Sequence, residues 1–305
     1  MANLRDIKKR ITSVQSTKQI TRTMEMVSSA KITSATRRVA AATPYSEAMN
    51  EMLERLSEQV ASSSHPLLAK HEEIKAAIIV AIVSDRGLAG GFNTNVLRHC
   101  DHLVRKLMHD GVDVSLIACG KKAVTYFNYR KYSMIKEFRD LSADPTLDEA
   151  VEIASICSEM FTSGKVDEVF MVYNHARNSA DQDLREEQIL PVDPLGNKKV
   201  PQYYEDPEKA AQRKKEAEPK SPFEFEPDAD SVLVQLLPSY LQTSIYHGLI
   251  DSAAAEQGAR RKAMKAATDN ASDMIDTLTR VYNRARQGAI TTEITEIVGG
   301  AAASE

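Results

Sequence analysis

No uninterrupted apolar run in this 305-residue chain exceeds eight residues, Ala76 to Val83. A transmembrane helix needs roughly 20, so none is expected. The N-terminus lacks the basic, apolar and small-residue succession of a signal peptide, which points to the cytosol. Cysteine is scarce: Cys100, Cys119 and Cys157 stand without CxxC spacing. They read as buried thiols in a reducing compartment, not as a disulfide or a metal site. No GxSxG or comparable nucleophile motif gives hydrolase chemistry an anchor. No aromatic residue precedes Tyr45, although residues 1 to 40 carry nine Lys or Arg against only Asp6 and Glu25. A basic helix with nothing to stack on bases is a poor nucleic-acid reader. The C-terminal segment supplies Asp251, Glu256, Asp269, Asp273, Asp276, Glu293 and Glu296. A positive helix facing an acidic protein partner fits these charges better.

What the chain does have is helical periodicity at both ends. Leu4, Ile7, Ile11 and Val14, then Ile20, Met24, Val27, Ala35, Val39 and Ala42, recur at spacings of three and four, with no breaker before Pro44. Tyr45, Met49, Met52, Leu53, Leu56 and Val60 continue the pattern. A second stripe runs through Leu241, Ile245, Leu249, Ala263, Ala267, Ala271, Met274, Leu278, Val281 and Ala285, extended by Ile290, Ile294 and Ile297. Periodicity this long predicts a coiled coil. A helix from Ser239 to Val298 would be roughly 90 Å long. The pair should run antiparallel, with both termini at the far tip. Residues 12 to 36 hold eleven Ser or Thr. Small side chains permit close helix approach and leave a polar surface able to move against a partner. A plain helical hairpin scaffold is the simpler alternative.

The middle changes period. Ala76 to Val83 reads as a buried strand, followed by the turn Ser84-Asp85-Arg86-Gly87-Leu88-Ala89-Gly90-Gly91-Phe92-Asn93 and a helix to about His109. Further strands are expected at Val112 to Cys119, Ser133 to Phe138 and Val166 to Tyr173. Helices are expected at Lys121 to Tyr129 and from a Thr146/Glu149 capping box to about Thr162. This alternation predicts a mostly parallel sheet with helices on its faces. The glycine turn invites a nucleotide-binding reading. It has neither the GxxxxGK[ST] phosphate loop nor GxGxxG, so a tight turn is preferred. His99 and His102 share a helix face, but no third metal ligand is evident. Residues 191 to 230 hold seven of the eleven prolines and a charged run at 208 to 218, which predicts an exposed extension.

Specific motifs then carry a resemblance. They are Arg5-Asp6-Ile7, Ser13-Val14-Gln15-Ser16-Thr17-Lys18-Gln19-Ile20-Thr21, Met24-Glu25-Met26-Val27, the Ser84-Asp85-Arg86-Gly87-Leu88 turn with Gly90-Gly91, and Met264-Lys265-Ala266-Ala267-Thr268-Asp269-Asn270. The ending Tyr282-Asn283-Arg284-Ala285-Arg286-Gln287 with Ile290-Thr291-Thr292-Glu293-Ile294-Thr295-Glu296-Ile297-Val298-Gly299-Gly300-Ala301 completes the set. Together they resemble the gamma subunit of the F-type rotary ATP synthase, over nearly the whole chain except residues 196 to 228.

The resemblance implies an α/β fold built as a long antiparallel two-helix coiled coil plus a central Rossmann-like domain with a mostly parallel sheet. The coiled-coil helices would span residues 1–60 and 239–298, the α/β domain 74–235 with 196–228 as an exposed insertion, and the tail 299–305. It implies a non-catalytic central-stalk rotor, coupling rotation of a membrane ring of c subunits to conformational changes in catalytic beta subunits. Partners would be three alpha and three beta subunits, epsilon and the c ring, with no nucleic acid and membrane contact only through the c ring. Nucleotide and Mg would bind the alpha and beta subunits, leaving this chain with no cofactor or metal of its own. By resemblance, Met24 faces the beta lever segment. Glu256, Arg260, Arg286, Gln287, Thr291 and Glu293 contact the beta subunits or support those contacts, and Ile294, Ile297 and Val298 turn in the ring's bearing. Photosynthetic relatives carry a redox cysteine pair in an inserted segment of this domain; residues 196 to 228 hold no cysteine, which argues against thiol control. The expected location is the cytoplasmic face of a bacterial plasma membrane. An NAD-type enzyme and a passive coiled-coil scaffold remain the rival readings.

Overall fold

Two very long helices bracket the chain in its computed structural model, which describes residues 4–59, 65–71, 73–193, 226 and 228–302. Helix α1 covers Leu4–Gln59 and the last helix, α5, covers Ala229–Ala302. The expected insertion at 196–228 lies almost entirely outside the described residues. Both helices run through a proline, Pro44 in α1 and Pro238 in α5, so α5 begins about ten residues before the Ser239 start that the sequence suggested. An internal proline removes one backbone hydrogen bond, to the carbonyl four residues back. Pro44 and Ala40, and likewise Pro238 and Val234, are exposed, so each freed carbonyl sits on a face open to water.

Coverage along α1 follows a strict alternation of three and four residues. Every position it picks out is buried or half-buried: Leu4, Ile7, Ile11, Val14, Lys18, Thr21, Glu25 and Ser28, continuing with Ile32, Ala35, Val39, Ala42, Ser46, Met49, Leu53 and Leu56, with half-buried neighbours such as Met24 and Thr36 flanking the line. That 3.5-residue average is the period of a coiled-coil seam. The chain divides into two compact units, Met1–Ser28 with Arg261–Glu305, and Ser29–Arg260.

The second unit is built on a five-stranded sheet. Its strands are β1 (Ala76–Ile82), β2 (Asp113–Cys119), β3 (Met134–Phe138), β4 (Glu168–Ala176) and β5 (Gln182–Leu190), in the order β3-β2-β1-β4-β5. The first four are parallel and β5 joins β4 antiparallel. Central β1 is buried from Ala77 through Ile82, as a parallel strand covered on both faces requires. Strand β5 was not anticipated. Its run Asp183-Leu184-Arg185-Glu186-Glu187-Gln188 is charged and half-exposed, a composition that guards a free sheet edge but carries no hydrophobic signal.

Helices α2 (Phe92–His109) and α3 (Lys121–Arg130) cover one face, through Val96, Leu103, Val104 and Phe127. The other face packs on α4 (Leu147–Thr162), the second half of α1 through Met49, Leu53 and Leu56, and the start of α5 through Leu233, Leu237, Leu241 and Ile245. The expected capping box opens α4: Thr146 Oγ1 accepts from Glu149 N, and the Glu149 carboxylate accepts from Thr146 N at 2.8 Å.

Candidate partner-contact surfaces

In the unit formed by residues 1–28 and 261–305, the Thr21 and Thr268 hydroxyls lie 2.8 Å apart, each also within reach of a carbonyl of its own helix, Lys18 O or Met264 O; with two protons for three contacts, one hydroxyl donates across the seam and the other to its own helix. An antiparallel register anchored there sets Lys18 opposite Ala271, Val14 opposite Ile275, Ile11 opposite Leu278 and Leu4 opposite Ala285. Those positions on α5 are the half-buried or buried ones, and Ala285 is the last of them. The seam therefore contains Lys18, Thr21, Glu25 and Ser28. Ile20 and Val27, which the sequence placed in the stripe, point outward at 60% and 51% exposure, as does Met26. On α5, Met274 and Val281 are likewise outside. The reason is phase: a three-four alternation begun at Leu4 arrives at Lys18, Thr21 and Glu25, not at Ile20 and Val27. Met24 sits beside the seam, half-buried.

Beyond Ala285 this register leaves α5 opposite no described residue of α1. Arg286, Gln287, Thr291 and Glu293 are all exposed there. So are Ile290, Ile294, Ile297 and Val298, the last three more than half exposed. Thr291, Thr292 and Thr295 return their hydroxyls to carbonyls four residues back, leaving the helix surface polar groups largely self-satisfied.

Glu256 and Arg260, in the other unit, are placed differently: both are buried, at 3% and 8% exposure. Arg260 Nη2 donates to Glu256 Oε1 at 2.5 Å and to the Gly87 carbonyl at 3.3 Å. The pair thus grips the chain's own glycine turn, a supporting position and not an exposed contact. Burial pushes the Glu256 carboxyl above its usual range, with the Asp85 charge adding to the rise and Arg260 and Ser142 opposing it. Its Oε2 is buried without a hydrogen-bond partner. Asp251, one of the acids the C-terminal helix supplies, is fully buried and accepts from Ala176 N at 3.1 Å beside His175 Nδ1 at 2.7 Å.

The turn itself is stitched to the carboxyl edge of the sheet. Asp85 Oδ1 accepts from Lys121 N at 2.8 Å and Asp140 N at 2.9 Å, and Oδ2 accepts from Ser142 N at 2.9 Å. Ser84 Oγ donates to Arg86 O at 2.5 Å, and Asn93 Oδ1 accepts from Ser84 N at 2.9 Å. Burial tends to raise the Asp85 carboxyl, but the three backbone donors and the Ser142 hydroxyl outweigh it and hold the group below the usual carboxylate range. Reading the turn as loop geometry missed this carboxylate; an Asp at the end of a central parallel strand was the available signal.

Open α/β sheets take ligands where strand order reverses. Here that point, between β1 and β4, is filled by Phe92, Val39, Ala176, Ile250 and Ala254, with Asn174 Nδ2 donating to Phe92 O at 2.9 Å. His99 contacts Glu186 on β5, His102 is exposed, and no group among the described residues could hold a metal ion. All three thiols are buried, and burial raises each above the usual thiol range, Cys157 to about 12.

A family profile described as ATP synthase matches residues 3–303. The ATP synthase gamma chain of Xanthomonas campestris pv. campestris strain B100 is 38% identical over 303 residues, covering 99% of this chain and all of that one. Among solved structures, the rotor of the Euglena gracilis mitochondrial ATP synthase aligns with a TM-score of 0.60 at 17% identity, covering 94% of this chain and 98% of that chain. The central stalk and c ring of the Tetrahymena thermophila mitochondrial enzyme gives 0.59 at 22%, covering 81% and 99%. At those identities the structures speak for the fold, and the curated relative for the family. Full-length agreement with the profile and with the Xanthomonas protein establishes that this chain belongs to the ATP synthase gamma-chain family.

Proposed function

We infer that this chain is the central-stalk rotor of an ATP synthase, a non-catalytic subunit that passes torque between a membrane c ring and the catalytic subunits. The observation that carries the reading is a stretch of the helix pair whose seam is partly polar while apolar side chains face outward. Thr21, Thr268, Lys18 and Glu25 take the seam while Ile20, Met26, Val27, Met274 and Val281 face outward. Apolar side chains exposed along a helix are expected where other chains enclose it.

In this reading three alpha and three beta subunits surround the N- and C-terminal helices, and the α/β domain meets epsilon and the c ring. Met24, Arg286, Gln287, Thr291 and Glu293 meet the beta subunits. Glu256 and Arg260 support such contacts by fixing the glycine turn, and Ile294, Ile297 and Val298 turn inside the apolar collar of the ring. An asymmetric shaft makes different contacts with each beta subunit, and that difference in contact energy biases three conformations. Nucleotide and Mg stay with the alpha and beta subunits. The assembly sits at the cytoplasmic face of a bacterial plasma membrane, reached through the c ring; no helix among the described residues is long and apolar enough to cross it.

Affinity purification of the tagged chain from solubilised membranes tests the reading. One copy with three each of two larger subunits, in an eluate that hydrolyses ATP, is the expected result. A lone or self-paired chain without ATPase, beside a control showing that the complex survives solubilisation, would return the scaffold and enzyme readings.

A further inference from the structure

We propose that the Asp85 carboxylate is an internal anion, seated on backbone donors of two other loops, that positions the exposed Arg86-Gly87-Leu88 turn for coupling; the coupling part rests on the rotor reading above.

The seat is assembled from separate strand ends. Lys121 N opens the first turn of α3, the positive end of a helix dipole, while Asp140 N and Ser142 N come from the loop after β3. Ser142 Oγ completes the exchange by accepting from Asp85 N at 3.0 Å. Converging backbone N–H groups beside a helix N-terminus form the kind of donor set that receives a ligand's carboxylate or phosphate. Here the chain supplies the anion itself. Close backbone approach makes this possible: a Cβ on Gly120 would lie 2.2 Å from Val83 O.

What the seat holds is a turn under tension. Leu88 has φ +64° and is 62% exposed. A left-handed conformation is adopted by a non-glycine residue only at a cost, and within the chain the exposed Leu88 recovers little of it by burial. Three ties compensate: Asp85 on one flank, the Ser84 and Asn93 side chains on Arg86 O, and Arg260 on Gly87 O. Such over-determination is characteristic of a preorganised contact.

Removing the anion leaves its donors in place, so the test is chemical rescue. In Asp85→Ala, examined as the full-length chain and in the assembled complex, amide exchange over 84–93, 119–122 and 139–143 should accelerate by about tenfold or more, since the carboxylate's three hydrogen bonds are lost together. The ratio of ATP-driven proton pumping to ATP hydrolysis should fall with it. Formate should restore both, and chloride at equal ionic strength should restore neither. Asp85→Asn should show the defect without the rescue. If Asp85→Ala folds only with formate, the seat is supported; if it folds natively with unchanged exchange, or if formate rescues nothing, the proposal is overturned. Restored exchange with coupling never impaired overturns the coupling role. A wild-type chain that joins no complex contradicts the rotor reading itself, and the exchange arm then decides the seat alone.

Discussion

Thr21 and Thr268, 247 positions apart in sequence, share a buried hydroxyl contact of 2.8 Å in the seam between the N- and C-terminal helices. A hydrogen bond in place of an apolar knob specifies register at little gain in stability.

The two threonines should therefore behave as a coupled pair. Thr268→Val removes the cross-seam bond, although Thr21 keeps Lys18 O as an acceptor, and should cost about 1 kcal/mol, while the double Val variant should cost less than the sum of the singles. Urea unfolding of the four proteins of the cycle measures this. Strict additivity would mean that the contact carries no energy.

Asp85 and Glu256 predict pH effects of opposite sign. The folded carboxyl of Asp85 is held below its ordinary value of 3.8, so its stabilising contribution is present above that value and lost as pH falls through the folded pKa. Glu256 is raised above 4.5, so the folded chain holds its proton longer, and stability declines as pH rises from 4.5 toward the folded value. Thermal unfolding against pH should show Asp85→Asn converging with wild type in strong acid. Glu256→Gln should flatten the decline above pH 4.5; a decline left intact would remove Glu256 as its source.

Gly120 tolerates no side chain. With φ +102° and a Cβ position 2.2 Å from Val83 O, Gly120→Ala should cost on the order of 3 kcal/mol or more and disturb the Asp85 seat. Circular dichroism melting checks the stability loss. An alanine variant as stable as wild type would show that the strand ends can part freely.

The three cysteines should be silent. Buried thiols with raised pKa values present almost no thiolate. Maleimide labelling should modify none in the folded chain and all three in denaturant; fast native labelling at any of them would contradict the packing of both sheet faces.

Much of this was legible in the residues because period and burial agree there. The apolar run of β1 and the Thr146/Glu149 capping box led directly to the observed elements. The charged edge strand β5 was not legible, since its stability comes from pairing with β4 and not from its own side chains. The seam was read in the wrong phase around Ile20 and Val27, because hydrophobicity marks every buried surface alike, including one that other chains bury. For Glu256 and Arg260 the residues left contact and support both open; their burial and their grip on Gly87, which only the fold creates, favour support. The Asp85 seat joins three strand ends, a relation that topology creates and local sequence does not contain.

Rotation is the most direct test of the central claim. With the native cysteines buried, a cysteine introduced for Tyr129, 84% exposed on α3, gives a single labelling point on the chain. The complex would be immobilised through its larger subunits and a gold rod attached there. On adding ATP, the account predicts stepwise rotation in one direction that stops when ATP is removed. A rod that only fluctuates about a fixed angle while the same complexes hydrolyse ATP would contradict it.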